Sequence, residues 1–245
     1  MDGPLDITHQ SSEELPLFLL ETVLFPFATL QLHIFEDRYL ELVQECRETG
    51  RPFGVVLIRD GREVGGSADP YMVGTAARIL KVHEYDDGRL DLQVQGESRF
   101  RIRSLDESRP FLVGRVEPVA ENEPDDSPRG YALLTRAQET FQLLIQHLLS
   151  KPNYSIEVVF PGDPEAFSFA IANLLRMDNR KKQLLLEITD TTERIAGILP
   201  LLESQLAEVQ EGGSQQPPVT IPGLTHETDI RRLSSHEIKD LLCNN

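Results

Sequence analysis

The sequence predicts an α+β chain in which an antiparallel β-barrel module with one helix is followed by a helical bundle. Three observations carry that expectation. Apolar and polar residues alternate in short runs between Pro52 and Pro118, apolar residues recur at helical spacing beyond Leu134, and the acidic, proline-bearing stretch Ala120–Pro128 separates the two patterns. The expected boundaries are a flexible N-terminus at 1–14, a β-rich module at 15–119, a stiff acidic linker at 120–128, a helical module at 129–211, and a flexible tail with a short helix at 212–245.

Leu15 to Phe35 is dense in Leu, Phe, Val and Ile and is interrupted by Pro26, which reads as two buried strands joined by a bend. Glu36-Asp37 opens a helix whose apolar positions Tyr39, Leu42, Val43 and Cys46 share one face, and Gly50 supplies its stop. Phe53–Ile58 is a β-branched run ending at Asp60-Gly61, and Asp87-Gly88 joins Ala76–Glu84 to Arg89–Gln95 as a hairpin. Ser98–Leu105 repeats the alternation with Phe100 and Ile102 inward and Arg99, Arg101 and Arg103 outward, and Phe111–Val116 reads as a further strand. Strands this short and evenly spaced favour a closed or half-closed barrel, which protects sheet edges.

Past the linker, Leu134, Ala137, Phe141, Leu144, Ile145 and Leu148 define a long amphipathic helix ending near Lys151-Pro152. Asp163-Pro164 begins a second helix running to about Leu175, a third covers Arg180–Ile188, and Asp190 caps a fourth that Pro200 should kink. Gly212–Pro218 is a flexible break, and Ser234 with Glu237 forms a capping-box spacing ahead of Ile238, Leu241 and Leu242.

Composition narrows the function classes. Acidic residues outnumber basic ones 40 to 24, giving a net charge of −16 that repels nucleic acid and anionic lipid at long range. The two cysteines, Cys46 and Cys243, have no metal-ligand spacing, which fits a reducing compartment. Met1 to Glu14 lacks a basic start and an apolar stretch, and no segment approaches the run of about 20 apolar residues that spans a bilayer, so the expected location is the cytoplasm.

Few residues fall in patterns that carry chemistry. No glycine precedes a lysine, which excludes a phosphate loop of the GxxxxGK[ST] type. Ser67 and Ser98 sit in near misses to GxSxG that lack its final glycine, and His83-Glu84, His226-Glu227 and His236-Glu237 lack the second histidine of a zinc helix. His33 is read as a structural histidine and Cys46 as a small core residue of low reactivity. The row Arg99, Arg101, Arg103 could grip carboxylate or phosphate. Its plainer reading is a solvated strand face paired with Asp91 or Glu97. No catalytic residue, metal site or cofactor is expected.

Several ordered segments carry a resemblance. Pro16–Leu20, Val23–Pro26 and Leu30–Tyr39, followed by Phe53–Ile58, Gly74–Ile79, Gly96–Ile102, Lys182–Glu187, Asp190 and Arg194, resemble the substrate-binding domain of Lon proteases, especially its free-standing bacterial form. The resemblance spans about Leu15 to Leu206 and implies a PUA-like pseudo-barrel and a helical bundle that hold unfolded or tagged polypeptide, with a protease or chaperone as a further partner. Phe25, Phe27, Phe35 and Tyr39 are the candidate peptide contacts, and Arg99, Arg101 and Arg103 the candidate contacts to an acidic partner. The alternative is an RNA-binding PUA-like module, suggested by the implied architecture and the arginine row.

Overall fold

The computed structural model describes residues 13–62, 68–122, 125–149, 156–158, 161–211 and 231–233. These divide into two compact units, one built from residues up to Leu24 and from Leu30–Val119, the other from Phe25–Thr29 and from Ala120 onward. The chain therefore crosses between them at residue 25, at residue 30 and at residue 120.

In the first unit, β1 (Glu13–Leu20) changes partner along its length. Glu13–Pro16 pair antiparallel with β7 (Val113–Pro118), and Leu17–Leu20 pair parallel with β3 (Phe53–Gly61). Antiparallel pairing continues from β7 to β6 (Leu90–Asp106), to β5 (Val73–Glu84) and back to β3, closing a ring. A ring with an odd number of strands cannot alternate direction all the way round, so one adjacent pair must run parallel. Here it is β1 with β3. Two short strands lie off the ring: β2 (Thr29–Ile34) pairs with β6, and β4 (Ala68–Pro70) with β3. The arms expected at Arg89–Gln95 and Ser98–Leu105 are one strand of 17 residues, whose ladder with β5 slips between Thr75 and Ala77. A bulge of this kind bends a strand without ending it.

Leu15, Leu17 and Leu19 point inward with Phe100, Ile102, Val116 and Val56 to form the barrel core. Glycines make room for the Phe100 ring: a Cβ on Gly54 would lie 2.5 Å from its Cζ, and one on Gly74, its cross-strand partner, 2.8 Å from it. The other face of β1 is covered too. Phe18 stacks on Tyr39 of α1 (Asp37–Thr49) with centroids 3.9 Å apart, and Tyr39, Leu42, Val43 and Cys46 form the buried helix face. Gly50, at φ 69°, caps α1 in the left-handed region, and Gly88, at φ 84°, turns the β5–β6 hairpin.

The second unit contains α2 (Pro128–Leu149), α3 (Pro164–Leu174), α4 (Asn179–Glu187) and α5 (Thr191–Gln210). Asp163, Asp178 and Asp190 each accept the backbone N–H three residues on, supplying the N-caps. Helix α5 continues through Pro200, which is exposed. Glu121 and Asn122, expected within a linker, are tied into this unit: the Asn122 N–H donates to Thr189 at 2.7 Å, and the Glu121 carboxylate meets Arg194. Arg194 is wholly buried, donates also to Ser168 and to the Ile188 carbonyl, and lies 3.9 Å over the Phe169 ring. Two short strands that periodicity did not reveal, β8 (Ile156–Val158) and β9 (Arg231–Leu233), pair in parallel. Apart from β9, the expected tail and its short helix lie outside the described residues, as does the expected N-terminal segment up to residue 12.

Candidate functional site

The four candidate aromatics separate by burial. Phe25 is fully buried and packs 5.9 Å from Phe169, so it cannot present a ring to a partner. Pro26 takes the second position of a turn closed by Ala28 N–H to the Phe25 carbonyl. Phe27 occupies the third turn position at φ 65°, where glycine or asparagine is usual, and is 52% exposed. Phe35 is 49% exposed, whereas Tyr39 is buried between Phe18 on one face and the Arg38 guanidinium, 4.4 Å from its ring centroid, on the other.

Phe35 and Tyr39 line one groove of about 340 Å³, together with Phe18 and Leu20 from β1, Thr22 from the bend that follows it, and every residue from Leu30 to Glu36. Its two walls differ in kind. Phe18 and Leu20 are two apart on β1 and share one side-chain face. Leu30–Ile34 are consecutive, and consecutive strand residues point to opposite faces, so a groove touching all of them runs along the strand edge, beside the backbone. Leu32 and Ile34 are buried and Gln31 and His33 exposed, so one face of β2 is covered and the other is not. Among the described residues, β2 pairs with β6 alone.

At the rim, exposed rings follow one another: Phe35 to His33 at 6.0 Å, His33 to Tyr85 at 6.2 Å, and Tyr85 to His83 at 4.6 Å. Asp91 of β6 holds this row, accepting the Tyr85 hydroxyl at 2.5 Å and meeting His33 Nδ1 at 2.6 Å. The Tyr85 hydroxyl, and after it His33, keep the Asp91 carboxyl below the usual aspartate range, and the same bond pushes the Tyr85 phenol up. The groove thus has an apolar floor, one strand edge and an aromatic rim.

The arginine row does not form the expected outward strip. Arg99 is buried at 3% exposure, Arg101 is half-buried, and only Arg103 is exposed, paired with Glu117. Phe100 is buried as well, so β6 is covered on both faces at this point and alternation cannot send Arg99 to solvent. The expected partners are engaged elsewhere, Glu97 by Arg78 at 2.9 Å and Asp91 by His33 and Tyr85. Cys46 lies in the α1 core, where burial pushes its thiol up to about 11, which leaves little thiolate for nucleophilic chemistry. Ser98 is exposed on β6, and Ser67 lies outside the described residues. Among the described residues there is no group of His, Cys, Asp or Glu arranged to hold a metal ion, and no helix is long and apolar enough to cross a membrane.

Phe35 and Tyr39, singled out in the sequence, both line this groove, and the edge contributed by β2 was not foreseen. The alternation of Leu30, Leu32 and Ile34 against Gln31 and His33 was the available signal. The contribution of Tyr85 and Asp91 depends on pairing across 58 residues of sequence, which a linear reading cannot see.

A closed ring of strands with one helix packed on β1, and a second unit of helices, define the fold, and comparison assigns the family. Residues 14–204 match the family described as the ATP-dependent protease La (LON) substrate-binding domain, and the chain belongs to that family. The Lon protease of Flavobacterium johnsoniae is 29% identical over 218 residues, covering 84% of this chain and 26% of that protein. Lon protease 2 of Myxococcus xanthus is 29% identical over 186 residues, 75% of this chain and 22% of that protein. The chain thus spans about a quarter of the length of the curated relatives it matches. The crystal structure of a Lon N-terminal domain protein from Xanthomonas campestris superposes with a TM-score of 0.56 at 30% identity, over 77% of this chain and 98% of that one. The N-terminal domain of Lon protease from the Mycobacterium avium complex gives 0.59 at 19% identity, over 78% and 98%, and supports the fold alone.

Proposed function

We propose that this chain is a non-catalytic, cytoplasmic module that holds unfolded or tagged polypeptide and hands it to a protease or chaperone. The observation that carries the reading is the groove between β1 and β2, whose floor is apolar and whose rim exposes Phe35, in a chain of the LON substrate-binding family. Phe35 is the leading anchor. Burying the exposed half of such a ring contributes about 1 kcal/mol, enough for a shallow, permissive contact. Phe27, exposed at φ 65°, is a separate candidate contact on the other unit.

A nucleic-acid reading finds less support. Burial of Arg99 and pairing of Arg103 with Glu117 break the row that motivated it, and the net charge of −16 opposes it. The test is fluorescence anisotropy of labelled, reduced and carboxamidomethylated ribonuclease A, run beside peptidase and ATPase assays. Saturable binding in the micromolar range without turnover is expected. Turnover, or no anisotropy change up to about 100 µM chain, defeats the proposal.

A further inference from the structure

We infer that the groove takes its polypeptide as an added β-strand, hydrogen-bonded to the outer edge of β2, and that the preferred segment alternates apolar residues with neutral or basic ones. This rests on the polypeptide-binding reading and specifies how that site works.

Three observations support it. First, the groove borders the unbroken series Leu30–Ile34, so an occupant lies against backbone as well as side chains. An extended chain is the ligand that satisfies a row of edge N–H and C=O groups, and the six residues of β2 offer an edge of roughly 20 Å. Second, the opposite wall carries Phe18 and Leu20, which are two apart on β1 and share one face, matching the period of a strand laid beside it. Every second side chain of the ligand would face that apolar wall, while the intervening ones face outward near Phe35 and His33. Third, carboxylates dominate the surroundings. Glu21, Glu36, Asp37 and Asp91 lie on or beside the lining residues against Arg38, and Asp87 and Arg89 pair with each other further along the rim. Acidic segments are therefore disfavoured and basic ones drawn in.

The experiment uses the full chain and an eight-residue fluorescent peptide alternating valine or phenylalanine with lysine or threonine. Two further peptides carry N-methyl groups on alternate amides, one set in each. Along a strand, alternate residues direct N–H and C=O to the same side, so only one set faces β2. The expected result is that one methylated peptide binds about tenfold or more weakly, through two or three lost hydrogen bonds, while the other stays within about twofold of the parent. Amide hydrogen exchange of Thr29–Ile34 is expected to slow with the parent peptide. Equal affinity of all three peptides, or equal loss in both methylated ones, overturns strand addition and leaves polypeptide binding intact. Binding of unfolded ribonuclease A without binding of the parent peptide overturns the assigned occupant. Binding of neither overturns the underlying reading as well. Protection of Thr29–Ile34 in the free chain that disappears on dilution assigns the edge to a second copy, and protection lost on truncation after Glu211 assigns it to the chain's own tail. Either result refutes the inference.

Discussion

The guanidinium of Arg194, wholly buried in the helical unit, donates to the Glu121 carboxylate at 2.6 Å across 73 residues of sequence. Ser168, the Ile188 carbonyl and Thr191 take its remaining donors, and the Phe169 ring lies beneath it. A buried charge so fully partnered becomes costly when one partner is removed. Glu121→Ala is expected to destabilise the chain by about 3 to 5 kcal/mol in urea denaturation, and the pair Glu121→Leu with Arg194→Met by distinctly less. A near-neutral Glu121→Ala contradicts this.

Phe100 fits the barrel because its neighbours lack side chains. A methyl on Gly54 would lie 2.5 Å from Phe100 Cζ and 2.8 Å from Leu17 Cδ2. On Gly74 it would lie 2.6 Å from the Val55 carbonyl oxygen, which is backbone and yields less. Gly54→Ala should cost about 1 to 3 kcal/mol by overpacking and Gly74→Ala more, measured by thermal unfolding. The reverse order would mean that Phe100, not the backbone, limits the packing.

Tyr85 and His33 together hold Asp91, Tyr85 the more strongly, and keep its carboxyl below the usual range. In a carbon-detected NMR titration, Tyr85→Phe should raise the Asp91 midpoint toward the ordinary aspartate value of about 3.9. Because the folded value lies below the unfolded one, this contact stabilises the chain above the unfolded value, and its contribution disappears as pH falls through the folded midpoint. An unmoved midpoint would show that the Tyr85 hydroxyl does not hold the carboxylate.

The Cys46 thiol, raised by burial from 9.0 to about 11, should react about a hundredfold more slowly with iodoacetamide at pH 8 in the folded chain than in urea, in a Cys243→Ser background. Since the folded value is the higher one, the associated stability is complete below the ordinary thiol range and fades as pH climbs toward 11. Equal rates folded and unfolded would place Cys46 at the surface.

How far the sequence disclosed this molecule depended on the range of the interactions involved. The α1 face, the Gly50 and Gly88 turns and the caps at Asp163 and Asp190 are set by residues within about four positions of one another, and linear patterns report them directly. Arg99 misled because strand alternation says which face a residue occupies and not whether that face is covered. Phe25 misled for the same reason: an apolar residue beside a proline bend is equally compatible with surface and core until Phe169 is placed beside it. The groove was half legible. Phe35 and Tyr39 belong to it, but the edge character of β2 follows from its pairing with β6, a property of topology that no local pattern encodes.

The most direct test of polypeptide binding through this groove compares two surface substitutions in the ribonuclease A anisotropy titration. Phe35→Asp removes the exposed rim ring, and Leu184→Asp alters a residue of the helical unit that is 63% exposed and lies outside the groove. Binding about tenfold weaker for Phe35→Asp, with Leu184→Asp unchanged, is the predicted result. Equal affinity of Phe35→Asp and the unsubstituted chain would contradict it.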